Sequence, residues 1–163
     1  MNLIDAHARN RWLLAEINEE KSRIVGLCRG ESFGLLGLDS RRVRSLRGRW
    51  RAQYTPKLKK RTALLAKLKD VFRRHQSQPV DRVIKLINPV LRGWVNCFRA
   101  GHSSECFGYV KDWVEKKIRR HMLRARRQQG FGWTRWSRDW LYETLGLFNG
   151  YRVRPATKAA PAG

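Results

Sequence analysis

One stretch, residues 80–98, constrains the fold of this chain more than any other. Its apolar residues recur at the helical spacing of about 3.6 residues: Val80, Val83, Ile84, Ile87, Leu91, Trp94, Val95 and Phe98. That period predicts a helix with one buried face, which other elements must cover. Pro89 lies inside the run, lacks an N–H and crowds the preceding turn. We therefore expect either a kinked helix or a second helix capped by Asn88, ending in a left-handed glycine cap at Gly101.

Further helices are predicted on both sides of this segment. The apolar stripe of residues 58–75 consists of Leu58, Leu65, Leu68 and Phe72, with Leu64 and Val71 beside it. Ser103 is predicted to cap a third helix, with Glu105 in its first turn, where the helix dipole favours an acid. The expected buried stripe of that helix is Phe107, Val110, Trp113 or Val114, Ile118 and Met122. Ser137 should cap a short helix that carries Trp140, Leu141 and Leu145.

The first third of the chain has a different character. Residues 1–20 predict a short helix or an irregular lead-in, while SRIVGL (22–27) and SFGLLGL (32–38) predict two strands of a hairpin. Two strands alone are marginally stable, so the hairpin must pack on another element. The last residues, RPATKAAPAG (154–163), predict a disordered tail. The expected fold class is mainly α, with a short β-hairpin before the helices.

The charge of the chain indicates the kind of partner. There are 36 Lys and Arg residues against 13 Asp and Glu residues, which gives a formal net charge of +23. Such self-repulsion adds nothing to a fold, and a polyanion would offset it. Nucleic acid is the first candidate and an anionic membrane surface is the second. Because no apolar run reaches about 18 residues, we expect no transmembrane helix.

Residues 41–61 concentrate this charge, with ten basic residues and no acid. Trp50 and Tyr54 are interleaved with the arginines, so the segment is either a solvated connector or a surface on which bases stack. Trp133 and Trp136 leave a similar choice between core packing and a stacking platform. Three other tryptophans lie on apolar stripes and are expected in the core: Trp94, Trp113 and Trp140.

Residue types that carry catalysis are not grouped in this sequence. No two aspartates are adjacent, although a two-metal polymerase or nuclease site needs carboxylates that bridge both ions. No Gly-rich loop precedes a Lys-Ser or Lys-Thr pair, and the four histidines are scattered. The three cysteines form no C-x-x-C pair, so we expect reduced thiols, with Cys97 on an apolar face. We expect neither a catalytic site nor a bound metal or cofactor in this chain.

Several motifs resemble one known family. INPVLRGWVNCFRAGHSS (87–104) resembles the start of the maturase-specific domain, or domain X, of group II intron-encoded reverse transcriptases, with Cys97 in place of the usual Tyr. Residues 109–153 resemble its continuation, a basic helix and a Trp-rich closing segment. NEEKSRIV (18–25) is similar to polymerase motif D, with Lys21 at its lysine, and SFGLLGLD (32–39) is similar to the primer-grip hairpin.

The resemblance implies a helical, thumb-like domain that binds intron RNA, assists its folding for splicing and holds a primer–template duplex. The Tyr-Ala-Asp-Asp catalytic segment of the family does not occur in this sequence. The chain is therefore expected to have no catalytic site, and Mg²⁺ would belong to the RNA or to a missing palm domain. It looks like the C-terminal third of such a protein, truncated or encoded separately, in a bacterial cytoplasm.

Other interpretations stay open. The chain could complete a reverse transcriptase with a separately encoded palm chain, it could be a non-functional remnant of a mobile element, or it could bind DNA and RNA duplexes without specificity. The expected division is a partial palm over 1–40, a basic connector over 41–57, the maturase-specific domain over 58–153 and the tail over 154–163.

The candidate RNA-binding residues are basic side chains with one aromatic ring among them. The break at Pro89 is expected to turn Arg92 and Arg99 toward RNA while Trp94 and Phe98 stay inside. The full set is Arg41, Arg42, Arg44, Arg47, Arg49, Trp50, Arg51, Lys57, Lys59, Lys60, Arg92, Arg99, His102, Lys116, Lys117, Arg119, Arg120, Arg124, Arg126, Arg127 and Arg135.

Overall fold

A computed structural model describes residue 26 and residues 30–130 and 132–154. Three sequence predictions lie outside this part of the chain: the lead-in over residues 1–20, the motif D-like segment with Lys21, and nearly all of the tail. The strand predicted over residues 22–27 also lies outside it, apart from Gly26. The described residues form three antiparallel strands followed by three helices. This arrangement confirms the predicted fold class, mainly α with a small β element in front.

The strands are β1 (Ser32–Leu35), β2 (Leu38–Arg44) and β3 (Trp50–Pro56), and they pair in the order β1-β2-β3. The prediction of one strand over residues 32–38 is wrong, because a tight turn divides it. Leu36 and Gly37 both have positive φ, at 49° and 85°. A two-residue hairpin turn that matches the twist of the strands requires this conformation. Because apolar residues stand on both sides of the turn, the composition of this stretch does not indicate it.

Residues 41–57, expected as a connector, instead provide the second half of β2 and all of β3. In the register of the two strands Arg41 faces Gln53, and the Arg41 Nε donates a hydrogen bond of 2.9 Å to Gln53 Oε1. The turn closes through a 2.8 Å hydrogen bond from Ser45 N to Arg49 O. Arginines lie on both faces of these strands, so the sequence lacks the alternation of apolar and polar residues that is typical of a strand. The backbone pairing identifies the two strands. The division into domains stays a prediction.

The helices are α1 (Leu58–Arg74), α2 (Val80–Phe98) and α3 (Ser104–Ala125), followed by a π-helical turn over Trp140–Thr144. Their apolar faces meet in a main cluster and in a smaller one formed by Val95, Phe98 and Phe107, which together confirm the predicted stripes of α2 and α3. In α1 the buried residues are Leu64 and Leu68, whereas Leu58 is exposed. Ser137 Oγ accepts a 3.2 Å hydrogen bond from Trp140 N, as expected of a cap.

Helix α2 continues through Pro89, so of the two expected alternatives the second helix capped by Asn88 does not form. The Asn88 side chain instead donates from Nδ2 to Gly146 O and accepts from Phe148 N, both at 2.9 Å. It therefore holds the C-terminal segment against the middle of α2. Local sequence cannot reveal this role, because the partners are 58 and 60 residues away.

The loop between α2 and α3 joins the sheet to the helices. His102 N donates to Tyr54 O at 2.6 Å, and Tyr54 N donates to His102 Nδ1 at 3.3 Å. Gly101 does not adopt the predicted left-handed conformation; a Cβ on it would lie 2.7 Å from Tyr54 O. Glycine is thus needed for the close approach of β3. The Ser103 hydroxyl donates to Phe98 O at 2.7 Å and makes no cap hydrogen bond to α3, contrary to the prediction.

Two other sequence predictions concern burial. Trp94, Trp113 and Trp140 are partly buried against the core, as expected. Cys97 is exposed, so its predicted place on an apolar face is wrong. It lies on α2 between the buried Val95 and Phe98 and lines, with Trp94 and Phe98, a groove that is open to solvent. In the part of the chain that the structure describes, no helix is long and apolar enough to cross a membrane.

Candidate nucleic-acid interface

The C-terminal half of α3 and the two residues after it carry the basic run of residues 116–127, and a buried polar cluster anchors the helix. Glu115 is fully buried and accepts hydrogen bonds from Tyr142 Oη at 2.7 Å and from Arg138 Nε at 2.9 Å. Arg119, only 1% exposed, lies 3.4 Å from the Glu115 carboxylate and donates from Nε to Trp136 O at 2.9 Å. This cluster ties α3 to the segment that follows it and so determines which face of α3 meets solvent.

The protonation of this cluster follows from its contacts. Burial alone would raise the pKa of the Glu115 carboxyl, but the hydrogen bonds from Tyr142, Arg138 and Arg119 outweigh it and lower that pKa. Burial also raises the pKa of Tyr142, and its bond to Glu115 adds to the rise, so the phenol remains a donor. Because Arg119 is almost fully buried and is bound to Glu115 and Trp136, it has a structural role in this fold, and its contact with RNA stays a prediction.

Beside this anchor, the C-terminal halves of α1 and α3 form a basic depression, which we call the α1–α3 cleft. It is lined by Lys69, Phe72, Arg73, Gln76, Lys117, Arg120, His121 and Arg124. A second depression continues it past Arg73 and Arg124 to Arg74 and Ser77. Six cationic side chains from two helices thus converge on one concave surface. No acidic side chain lines it among the described residues.

The cationic side chains of this cleft repel each other. Burial is the main cause that lowers the pKa of Lys117, and the positive charges of Arg120, Lys69 and Arg124 lower it further. Asp70 is the nearby acid, and its carboxylate is occupied by Arg73 at 2.9 Å and Arg74 at 2.7 Å. These exposed pairs contribute little stability. The remaining cations repel each other, and an anion placed between them would relieve that repulsion.

The cleft has an aromatic floor. The Phe72 ring lies 6.2 Å from the His121 ring and 6.5 Å from the Trp113 ring, measured between centroids. His121 Nε2 lies 2.9 Å from Gln78 O and donates to it, which ties α3 to the loop after α1. The Lys117 ammonium lies 5.2 Å from the Trp113 ring centroid. Packed rings therefore lie between the two helices beneath the cations.

A second basic surface, which we call the hairpin surface, covers β2, β3 and their turn. It contains Arg41, Arg42, Arg44, Arg47, Arg49, Trp50 and Arg51. The Arg42 guanidinium lies 4.6 Å from the centroid of the Trp50 ring, which is 57% exposed. The Arg44 Nε donates to Gly48 O at 3.2 Å and supports the turn. Cations and an exposed ring are thus combined, as on surfaces that bind single-stranded nucleic acid.

The comparison with known families agrees with this geometry. The family model of the group II intron maturase-specific domain matches residues 61–140. These residues form a group II intron maturase-specific domain. The match spans α1, α2 and α3, and so includes the whole cleft, whereas the hairpin surface precedes it. A search of curated proteins finds no match to the chain.

The maturase-specific domain presents some of the predicted RNA-binding residues more freely than others. Arg92 is exposed on α2. Arg99 is half-buried, and its guanidinium donates to Arg152 O and to the Asn96 side chain, both at 3.3 Å. Arg135 donates to the Gln128 side chain. The residues exposed elsewhere in the matched domain are Lys116, Arg120, Arg124, Arg126 and Arg127.

The remaining predicted residues, most of which precede the matched domain, also differ in whether their side chains contact other parts of the protein. Lys57 lies 3.9 Å from the Asp39 carboxylate. His102, which lies within the matched domain, is exposed but held by Tyr54 as described above. Lys59 and Lys60 are exposed at the start of α1. Whether any of these residues binds RNA stays a prediction.

The sequence reasoning missed the contribution of α1 to the cleft. Lys69, Arg73 and Arg74 were not among the predicted site residues, although they line the cleft opposite α3. A sequence signal existed, because the basic residues on the polar face of α1 continue to its last turn. Only the packing of α1 on α3 shows that this face meets Lys117 and Arg124. No three His, Cys, Asp or Glu side chains of the described residues are grouped as a metal site requires.

Proposed function

We propose that this chain binds group II intron RNA and assists its folding and splicing, without a catalytic site of its own. The observation that carries this proposal is the α1–α3 cleft, where Lys69, Lys117, Arg120 and Arg124 converge inside the matched maturase-specific domain. Cations that repel each other across a concave surface favour a ligand with closely spaced negative charges, and the phosphates of folded RNA supply them.

The proposed mechanism is electrostatic. Phosphates of neighbouring RNA helices repel each other, and the cleft would neutralise them where the helices approach. The intron RNA would perform the splicing chemistry with its own Mg²⁺, so the protein contributes binding and no reacting group. The site of action would be the bacterial cytoplasm, where the intron is transcribed. If the cleft and the hairpin surface together contact about 6–10 phosphates, affinity should fall by up to about 10³–10⁵ between about 50 and 200 mM salt.

A competition experiment tests this proposal. The purified chain is bound at about 150 mM salt to the intron RNA encoded beside it, with an unrelated folded RNA of equal length as competitor. A preference of about tenfold, equivalent to about 1.4 kcal/mol, supports maturase-type recognition. Equal affinity for the two RNAs would contradict it and leave only non-specific binding by a basic protein.

One observation favours a second candidate, a part of a reverse transcriptase completed by a palm chain. Leu35 and Leu36, at the end of β1 and in the turn after it, are 60% and 91% exposed. Among the described residues β1 pairs only with β2, so no described strand occupies its other edge, and an unpaired edge can accept a further strand. Co-expression with a palm chain encoded nearby, followed by co-purification and a primer-extension assay, tests this candidate. Absence of a stable complex would contradict it.

A further inference from the structure

The structure separates two tryptophans that the sequence treats alike. Trp136 is 4% exposed and belongs to the hydrophobic core, whereas Trp133, three residues earlier, is 43% exposed. A large exposed ring in a basic segment offers a face on which the planar group of a ligand can stack. Core packing thus explains the position of Trp136 but not that of Trp133.

The Trp133 ring is supported from within the protein. The Arg119 guanidinium carbon lies 4.1 Å from the centroid of this ring, a close cation–π contact. Arg119 cannot follow the ring outward, because it is buried and held by Glu115 and the Trp136 carbonyl. The indole is therefore set in one orientation before any ligand arrives, which reduces the entropy lost on binding.

The loop before Trp133 is also set by packing. Gly132 has a φ of 69°, and a Cβ on it would lie 2.7 Å from the buried Trp136 ring. Glycine at this position lets the loop lie directly on Trp136, which determines where the next residue emerges.

Positive charge surrounds this loop. Residues 116–138 contain nine Lys and Arg residues and no Asp or Glu. The Arg126 and Arg135 guanidinium carbons lie 5.3 Å and 6.0 Å from the centroid of Trp136, so both side chains stand beside the loop that bears Trp133. Both residues are exposed. An exposed flat ring with guanidinium groups beside it matches a ligand that combines a planar face with a phosphate.

We propose that Trp133 is a stacking platform for one unpaired nucleobase of the bound RNA, with Arg126 and Arg135 as contacts for the adjacent phosphates. This inference rests on the proposed RNA-binding function and specifies it. The cleft holds the phosphates of paired RNA, and Trp133 takes a base that has left the helical stack. Fully paired RNA offers no such face, because its bases are stacked on each other.

The test compares two RNA stems of equal length, one fully paired and one with a single unpaired nucleotide. The wild-type chain should bind the second stem roughly 5- to 100-fold more tightly, the range that one base–aromatic stack supplies. Trp133→Leu keeps an apolar cover on Arg119 and should abolish this preference. Tyr109→Leu, which removes another exposed ring that lies beside a guanidinium, that of Arg61 at 4.4 Å, serves as the matched control and should retain it. Far-UV circular dichroism and urea unfolding check that both variants fold.

A second measurement needs no variant. The unpaired nucleotide is replaced by 5-iodouridine, the complex is irradiated, and the cross-linked peptide is identified by mass spectrometry. A cross-link at Trp133 supports the inference, and cross-links confined to other residues overturn it. An equal loss of affinity for both stems in Trp133→Leu also overturns it. The proposed function is judged separately, by the competition between intron RNA and unrelated RNA with the wild-type chain.

Discussion

Arg119 and Arg120 are consecutive residues of α3 with opposite environments. Arg119 is 1% exposed and binds Glu115 and the Trp136 carbonyl, whereas Arg120 is exposed and lines the α1–α3 cleft. The same residue type thus serves the fold at one position and faces the proposed ligand at the next. The sequence alone gives both residues the same description, a basic side chain in a basic helix.

This contrast yields the first prediction. Arg119→Ala should lower the free energy of unfolding by about 3–5 kcal/mol, because it removes one of the two charges paired with the buried Glu115 and leaves the Trp136 carbonyl without its donor. Arg120→Ala should change the free energy of unfolding by no more than about 0.5 kcal/mol but should weaken RNA binding. Urea unfolding and RNA binding of both variants check the two effects. A larger loss of stability in Arg120→Ala than in Arg119→Ala would contradict the assignment.

The second prediction concerns pH. The folded-state pKa of Glu115 lies below its ordinary value of 4.5, so the charged carboxylate stabilises the fold above that pH. The stabilisation should be lost as the pH falls through the lowered folded-state pKa, because the unfolded chain binds the proton first. The urea midpoint of the wild-type chain should therefore fall as the pH drops from about 5 to about 3.

Glu115→Gln is the control for this pH dependence. It should be less stable at neutral pH by about 3–5 kcal/mol, since Arg119 loses its counter-charge, and its midpoint should depend less on pH over the acidic range. Equal acid sensitivity of the variant and the wild-type chain would show that other carboxyl groups control it.

The third prediction compares a glycine inside α2 with a glycine in the loop that follows α2. Gly101→Ala places a Cβ 2.7 Å from Tyr54 O and should force the loop away from β3, at a cost of about 1–3 kcal/mol. Gly93→Ala lies in the middle of α2 with open space around it and should raise the free energy of unfolding by about 0.5–1 kcal/mol. Thermal or urea unfolding distinguishes the opposite signs. Stabilisation by both substitutions would argue against the close contact between the loop and the sheet.

The fourth prediction addresses the proposed RNA contacts of the cleft. Arg124→Ala and Lys69→Ala should each weaken binding to any RNA and reduce the slope of log affinity against log salt by about 0.7–0.9, if each cation neutralises one phosphate. Lys85→Ala, an exposed residue of α2 outside the cleft, should leave the slope unchanged. Binding isotherms at several salt concentrations measure the slopes. A change of equal size in Lys85→Ala would mean that charge acts without regard to position.

Much of the helical architecture could be predicted from local patterns. The apolar period of residues 80–98 identified the buried face of α2 in spite of Pro89, because the same side chains must be covered whether or not one backbone N–H is missing. The composition indicated a polyanion partner, and the motif around Arg92 and Trp94 indicated the family that the comparison confirms. These properties depend on residues close together in the chain.

Other features depended on contacts between distant residues. The Asn88 side chain could have capped a helix, but it instead forms hydrogen bonds with the backbone of Gly146 and Phe148. The Leu36-Gly37 turn and the strands at residues 41–56 follow from backbone pairing, which the arginine-rich composition conceals.

The sequence by itself determined the helical stripes, the positive charge and the family, because each is a property of spacing or composition. Only the tertiary structure decided which cations face solvent together. Arg119 is held inside the fold by Glu115 and Trp136. Two cations of α1 lie opposite two cations of α3 in the cleft: Lys69 and Arg73 opposite Lys117 and Arg124. The physical reason is that burial and electrostatic repulsion depend on the distance between side chains in space. The number of residues between two side chains in the sequence does not determine that distance.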